Sequence, residues 1–234
     1  MRQVILYILC EGYTEERFAS KVLKAHLKGY GIVVKPVILI TNRKKNIRGG
    51  LLNYQHVKND LEPLVKHSPK KSYEKHFFTT MFDFYHLPND FPGYGDAMKI
   101  HDCYGKVRKL EENFKQDIWT DSASFIPYIQ LHEFEALVFC GLEHLLSDYP
   151  DMTKQIDSLK KVVENFDNNP ERINDNPDTA PSKRIIKAFE SHNQHYNKIE
   201  SGLSVTSKVG IEKLKDNCPH FREWIEKLEN FSEK

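Results

Sequence analysis

The sequence has no apolar run approaching the roughly 18 residues a membrane span needs. Its longest clean apolar stretch, residues 4–10, is a strand's worth. That stretch starts almost at Met1, lacks a basic leader of ordinary length and runs directly into charged residues, so it does not read as a secretion signal. Cysteine is scarce. Cys10, Cys103, Cys140 and Cys218 are widely scattered and no Cys-x-x-Cys pair occurs, so neither a disulfide framework nor a cysteine zinc site is expected, and a reducing cytoplasm is the expected setting. An excess of one charge is also lacking. Lys and Arg number 34 and Asp and Glu 33, leaving +1 over 234 residues. Net charge therefore cannot drive binding to nucleic acid, and only a local patch could. Several catalytic signatures are missing as well: the Gly-x-Ser-x-Gly elbow, the phosphate-binding loop ending in Gly-Lys-Ser/Thr, and His-Glu-x-x-His. His132-Glu133-Phe134-Glu135-Ala136 lacks the second histidine of a zinc protease, and Glu11-Gly12-Tyr13-Thr14 is not a dinucleotide-binding turn.

What is present suits a folded chain with an α/β core. Aromatic residues make up 12% despite a mean hydropathy of −0.59, which argues against disorder. Residues 4–10 are apolar on both faces, as in a central strand covered on both sides. Glu11-Gly12 breaks the strand, and Thr14, followed by Glu15 and Glu16, reads as the cap of a helix with acids in its first turn. Residues 28–31 end that helix and residues 32–40 read as the next strand, giving the strand–helix–strand signature of a largely parallel sheet. A basic loop follows over 41–50, then a helix over 51–65, a strand over 76–85, a helix over about 96–114, a strand over 125–131 and a helix from near His132. Beyond Gly141 strand signals vanish and polar helices alternate with Asn/Asp/Pro loops. The expected organisation is an α/β core over 1–141 and a mainly helical region over 142–234, either a subdomain or helices packed on the same core.

In open parallel sheets, ligands bind beyond the carboxyl ends of the strands. Three predicted strands end in acids here: Glu11, Asp83, and Glu133 with Glu135. Converging carboxylates suit Mg²⁺ or Mn²⁺, and such an ion can activate water and offset charge on a phosphodiester. Asp83 stands in an aromatic, apolar strand, where an unpaired carboxylate costs several kcal/mol, roughly. A metal or catalytic role is thus weighed above a structural Arg or Lys partner. Glu11 is equally readable as a solvated strand end. Glu133 and Glu135 would share a face on a strand and diverge early in a helix, where the dipole gives at least one of them a structural role. His132 reads more simply as a local hydrogen-bonding group than as a ligand, and of Glu15 and Glu16 one could still face Glu11. Two basic elements could hold phosphate. Arg43, Lys44, Lys45 and Arg48 precede Gly49-Gly50, which permits close approach, although a solvated loop is the commoner case. In Pro181-Ser182-Lys183-Arg184, Ser182 reads as a helix cap, and cations in the first turn oppose the helix dipole, which hints at a functional reason. Lys198 is a further candidate beside the simpler reading of an exposed lysine.

The order of apolar strand–Glu11-Gly12 and then aromatic strand–Asp83 resembles the Toprim superfamily, the metal-dependent catalytic domain of topoisomerases, primases and some nucleases. More specifically, four motifs resemble a Toprim-like bacterial family catalogued as a domain of unknown function. They are Glu11-Gly12-Tyr13-Thr14-Glu15, Phe82-Asp83-Phe84-Tyr85, His132-Glu133-Phe134-Glu135-Ala136-Leu137 and Pro181-Ser182-Lys183-Arg184. The resemblance implies a Toprim/Rossmann-like fold and a site in which Glu11 is metal ligand or general acid/base. Asp83 matches the first aspartate of an Asp-x-Asp pair. Tyr85 stands where the second aspartate belongs, so Glu133 or Glu135 would supply the missing ligand, and Lys183, Arg184 or Lys198 would stabilise phosphate charge. It further implies Mg²⁺ or Mn²⁺, a nucleic-acid substrate, and a setting in phage defence or DNA repair beside a partner ATPase. The expectation is a metal-dependent nuclease with Glu11, Asp83, Glu133, Glu135 and Lys183 as its catalytic set. The alternative is a catalytically weak binding or regulatory module docking to an ATPase or nucleic acid, motivated by Tyr85 and the near-neutral charge.

Overall fold

Strand β1, Gln3–Cys10, alternates between two buried layers. Val4, Leu6, Ile8 and Cys10 enter one, and Ile5, Tyr7 and Leu9 the other, which is the two-residue period of a strand covered on both faces. The chain then runs as one rod through α1 (Tyr13–Phe18), a π turn (Ala19–Leu23) and α2 (Lys24–Lys28). It returns in β2 (Ile32–Ile38), parallel to β1 with Val4 opposite Ile32. The structure, a computed structural model, describes residues 2–42, 45, 47–67, 71–118, 124–173 and 176–233.

The strand predicted over 32–40 is two elements. β2 stops at Ile38, and β3 (Ile40–Asn42) turns away to pair antiparallel with β4 (Ile47–Arg48), so the predicted loop is in part a hairpin. The Leu39 N–H donates to the Cys10 carbonyl at 2.9 Å and the Gly49 N–H to the Leu39 carbonyl at 2.8 Å, closing the hairpin's base against β1. Helix α3 runs Tyr54–His67 rather than 51–65. Its start is set from afar, since the Tyr54 N–H donates to both carboxylate oxygens of Asp90 at 3.0 and 3.1 Å. β5 spans Glu74–Asp83 and leaves the ladder at Phe84–His86, a 3₁₀ turn. The helix predicted over 96–114 is split into α4 (Tyr94–Ala97) and α5 (Cys103–Asp117), because the Asp102 carboxylate accepts the Gly105 N–H at 2.9 Å and opens a new helix there.

The strand predicted over 125–131 is likewise interrupted. β6 (Phe125–Ile126) and β7 (Ile129–Gln130) both lie parallel to β5. Between them Pro127 has no N–H to give, and the Thr80 hydroxyl replaces the ladder at Tyr128, accepting its N–H and donating to its carbonyl, both at 3.0 Å. The sheet order is β2-β1-β5-β6, with β7 also on β5. This is a mixed α/β fold with a mostly parallel central sheet. α3 and α5 cover one face.

The other face carries α1, α2 and side chains from the helices that follow: α6 (Glu135–Val138), α7 (Thr153–Glu164), α8 (Pro181–Glu190), α9 (Lys198–Asn217) and α10 (Pro219–Glu229). Trp224 of α10 stacks on Tyr128 at 4.0 Å and donates its indole N–H to the Thr79 hydroxyl at 2.9 Å. Phe231 stacks on Phe77 at 4.0 Å. All four cysteines are free thiols. Among the described residues no helix is long and apolar enough to cross a membrane.

Buried Glu171 joins α10 to this core. Its carboxylate accepts the N–H groups of His220 and Phe221, each at 2.9 Å, and the Tyr104 hydroxyl at 3.0 Å. Replacing Glu171 by Ala strands three buried donors and is expected to cost about 3 kcal/mol. In a chain of this size that lowers the midpoint of a thermal melt by about 6–12 °C. A shift below about 1 °C would show that the cap is dispensable.

Candidate active site at the carboxyl end of the sheet

Strand register brings the acids together. Cys10 lies opposite Met81, and the next N–H, that of Glu11, donates to the Met81 carbonyl at 3.1 Å. The Glu11 carboxylate then accepts the Asp83 N–H at 3.0 Å. Asp83 lies opposite Gln130, so the residues that follow β7 reach the same rim. The turn they make is sharp. Buried His132 has φ 62°, a left-handed conformation uncommon for a residue with a side chain. The His132 carbonyl accepts the Tyr85 N–H at 3.1 Å, and its ring lies 5.2 Å from that of Tyr85. The helix predicted to begin near His132 therefore begins only at Glu135.

The turn separates Glu133 from Glu135. Glu133 accepts the Ser182 N–H at 2.9 Å, at the start of α8. Glu135 lies 3.1 Å from the Lys198 ammonium at the start of α9, and Asp83 lies 3.8 Å from the same ammonium. Two caps expected from local sequence are thus displaced. Ser182 is not the N-cap of α8: Ala180 holds that position and Pro181 opens the helix, while the orphan N–H of Ser182 is met by Glu133. Thr14 is not the N-cap of α1 either. Gly12 is the N-cap, Thr14 is buried, and Glu15 reaches back to accept the Gly12 N–H at 2.8 Å.

That reach carries Glu15 into the cluster. Glu11, Glu15, Asp83 and Glu135 are each no more than 6% exposed. Burial and the neighbouring Glu11 carboxylate push Glu15 up to about 7. Burial also pushes Asp83 and Glu135 above the usual carboxylate range, against the pull of Lys198. Burial alone would lower Lys198, but Asp83, Glu135 and Glu15 outweigh it and hold the ammonium charged. His86, which sequence reasoning missed, stands with its Nδ1 3.1 Å from Glu11 and 3.7 Å from Asp83. The hydrogen bond to Glu11 raises its pKa above 6.5. Its only sequence signal is its position three residues after Asp83, which a 3₁₀ turn converts into the same side of the chain. Among the described residues, Oδ1 of Asp83 and the buried hydroxyl of Tyr196 have no hydrogen-bond partner.

The remaining candidates lie around this cluster. Arg43 and Lys44 fall outside the described residues. Lys45 and Arg48 are exposed on the hairpin. Gly49 and Gly50 have φ of 85° and 76°, and the Gly50 N–H donates to the Glu11 carbonyl at 3.2 Å, pinning the hairpin beside the site. Lys183 is exposed, and Arg184 donates to the Thr179 carbonyl at 2.8 Å. The carboxylate of Glu133 at the N-terminus of α8 relieves the conflict between these cations and the helix dipole. Among the described residues, the trio whose ligand atoms lie within 4.8 Å of one another is not at this rim but is His26, Glu212 and Glu229. Lys215 already neutralises that trio, at 3.1 Å from Glu229 and 3.6 Å from Glu212. At the rim, His86 and Lys198 stand among the carboxylates.

Glu15 gives a test by linkage. Its proton is held more tightly in the fold, at about 7, than in the unfolded chain, at about 4.5. That proton's stabilisation is therefore complete below pH 4.5 and is lost as pH rises through 7. In the presence of a chelator, Glu15→Gln is expected to be more stable than wild type at pH 8, by at most about 3 kcal/mol, with the gap closing towards pH 4.5. Urea melts across this range measure it, and a gap independent of pH would contradict the buried-acid assignment.

No curated relative matches the chain. Among solved structures, it is similar to the C-terminal region of the Xanthomonas campestris pv. campestris OLD protein. The form phased with iodine gives a TM-score of 0.42 at 15% identity over 100% of this chain and 97% of that one. The form phased with mercury gives 0.44, with the same identity and coverage. A likeness of this size fixes no function. The family model described as Domain of unknown function (DUF4276) matches residues 10–229, and the chain belongs to that family.

Proposed function

We propose that this chain is a divalent-metal-dependent phosphodiester hydrolase of the Toprim type, acting on nucleic acid. The observation that carries the reading is the gathering of four buried carboxylates, Glu11, Glu15, Asp83 and Glu135, at the carboxyl end of the sheet, with the Lys198 ammonium against Asp83 and Glu135. The donors of this rim are carboxylate oxygens with one imidazole, that of His86, and Oδ1 of Asp83 is buried without a hydrogen-bond partner among the described residues. Those features fit Mg²⁺ or Mn²⁺. Glu11, Asp83 and Glu135 would hold the ion. Glu133 is engaged with α8 and supports the site from behind. When bound, a divalent ion polarises the phosphodiester and makes water a better nucleophile.

The chain's own groups have separate tasks. Lys198 is partly exposed, stays charged and can neutralise a phosphate oxygen as negative charge builds. Glu15, near neutrality in its pKa, can hold or release a proton at working pH. Tyr85, at the position of the second Asp-x-Asp aspartate, lies against His132 and brings no carboxylate, so Glu135 serves from the neighbouring strand end. Lys45, Arg48, Lys183 and Arg184 would meet the phosphate backbone, which positions substrate without reading sequence.

A second reading is a catalytically weak module that keeps the scaffold and binds nucleic acid or a protein partner. One observation favours it: His86 and Lys198 already pair with the carboxylates. Incubation of the isolated chain with Mn²⁺ and end-labelled DNA and RNA separates the two. The nuclease reading expects metal-stimulated cleavage, lost by about 10²–10³-fold or more in Asp83→Asn and Lys198→Met, with circular dichroism showing both variants folded. Undiminished cleavage by folded Asp83→Asn would refute the site assignment. No cleavage by wild type with any divalent ion would favour the binding module.

A further inference from the structure

Seven large apolar side chains stand exposed among the described residues, and four of them, Tyr13, Ile47, Leu52 and Ile199, are close in sequence to residues of the acidic site or of the hairpin pinned beside it. Tyr13 is two residues from Glu11, and Ile199 follows Lys198 directly. Ile47 precedes Arg48 on the pinned hairpin. Leu52 lies two residues beyond Gly50, whose N–H bonds the Glu11 carbonyl. Isolated exposed apolar residues need no explanation, but several on the segments that build a buried, charged site do.

Tyr13 is the most informative. It is the first residue of α1, and Thr14, Glu15 and Phe18 take the buried face of that turn. Tyr13 is thereby left 50% exposed on the outward face with Glu16 and Arg17, the i+3 and i+4 positions. Arg17 is half exposed, 3.8 Å from Glu16. An exposed ring with a guanidinium one turn away, beside a hairpin carrying Lys45 and Arg48, is a stacking surface flanked by phosphate contacts. Glu16 disfavours a phosphate directly over it, so the strand must cross on the Tyr13 and Arg17 side. Double-stranded nucleic acid turns phosphate and sugar outward and keeps its base faces stacked within, and would find nothing on this ring to match. A base freed from its partner would.

We infer that the substrate class is single-stranded or frayed nucleic acid, with an unpaired base next to the reacting phosphate stacked on Tyr13. The inference rests on the nuclease reading and adds strandedness to it.

The test measures binding by fluorescence anisotropy in a chelator, so that no cleavage occurs. Labelled 12-nucleotide single strands of DNA and RNA and a 12-base-pair DNA duplex are titrated with wild type, Tyr13→Ala and Tyr13→Trp. Wild type is expected to prefer the single strand about tenfold or more. Tyr13→Ala is expected to lose about tenfold in single-strand affinity with duplex binding unchanged, and Tyr13→Trp to restore it. A merely structural role for Tyr13 would move both ligands together. Equal single-strand affinity in Tyr13→Ala, or equal binding of duplex and single strand by wild type, overturns this inference alone and assigns these exposed apolar residues to a protein partner. Wild type that neither binds nor cuts nucleic acid overturns the nuclease reading as well.

Discussion

The ammonium of Lys198 between Asp83 and Glu135 is the contact on which the rest depends. Both carboxylates are buried, and a buried acid without a cation loses several kcal/mol, roughly, or takes up a proton. The lysine that meets them sits at the first position of α9, where the helix dipole opposes a positive charge. Each local violation answers the other. The acids tolerate burial because the lysine is there, and the lysine tolerates the helix N-terminus because the acids are there. The same contact joins the rim of the sheet to the start of α9, so the catalytic candidates and the packing of the C-terminal helices share one constraint.

Long-range carboxylates recur as fold-building devices. Asp90 meets the first N–H of α3, Glu133 that of Ser182 in α8, and Glu171 two at the start of α10. In each case a helix start is fixed by a side chain far away in sequence. A buried carboxylate bonded to backbone N–H groups has its charge met by the helix end rather than by a metal. This separates Glu133 and Glu171 from Asp83, whose Oδ1 is left unmet.

What was legible in the sequence follows from which signals were local. The doubly apolar β1, the strand–helix–strand opening and the acids at strand ends depend on periodicity and on the rule that parallel sheets present their carboxyl ends to ligands, and the fold has them. Helix starts differ from the local reading where another acid meets the first N–H groups: Thr14 gives way to Gly12 with Glu15 three residues on, and Ser182 to Ala180 with the distant Glu133. The break in the strand over 125–131 has a local sign in Pro127, but the Thr80 hydroxyl that replaces the ladder there has none. Glu15 was visible as a helix-dipole acid that, like Glu16, could face Glu11, and His86 not at all, because their part in the site comes from a helix start and a 3₁₀ turn at the strand ends.

If the carboxylate rim of Glu11, Asp83 and Glu135 is a divalent-cation site, as proposed, the ion binds without substrate. Titration of the full chain with Mn²⁺ by calorimetry, for wild type, Asp83→Asn and Glu11→Gln, with no nucleic acid present, tests this most simply. Wild type is expected to bind and both variants to bind markedly more weakly, with circular dichroism unchanged. Binding that survives both substitutions would place the ion elsewhere, and absence of binding to wild type would contradict a metal site formed by these residues alone.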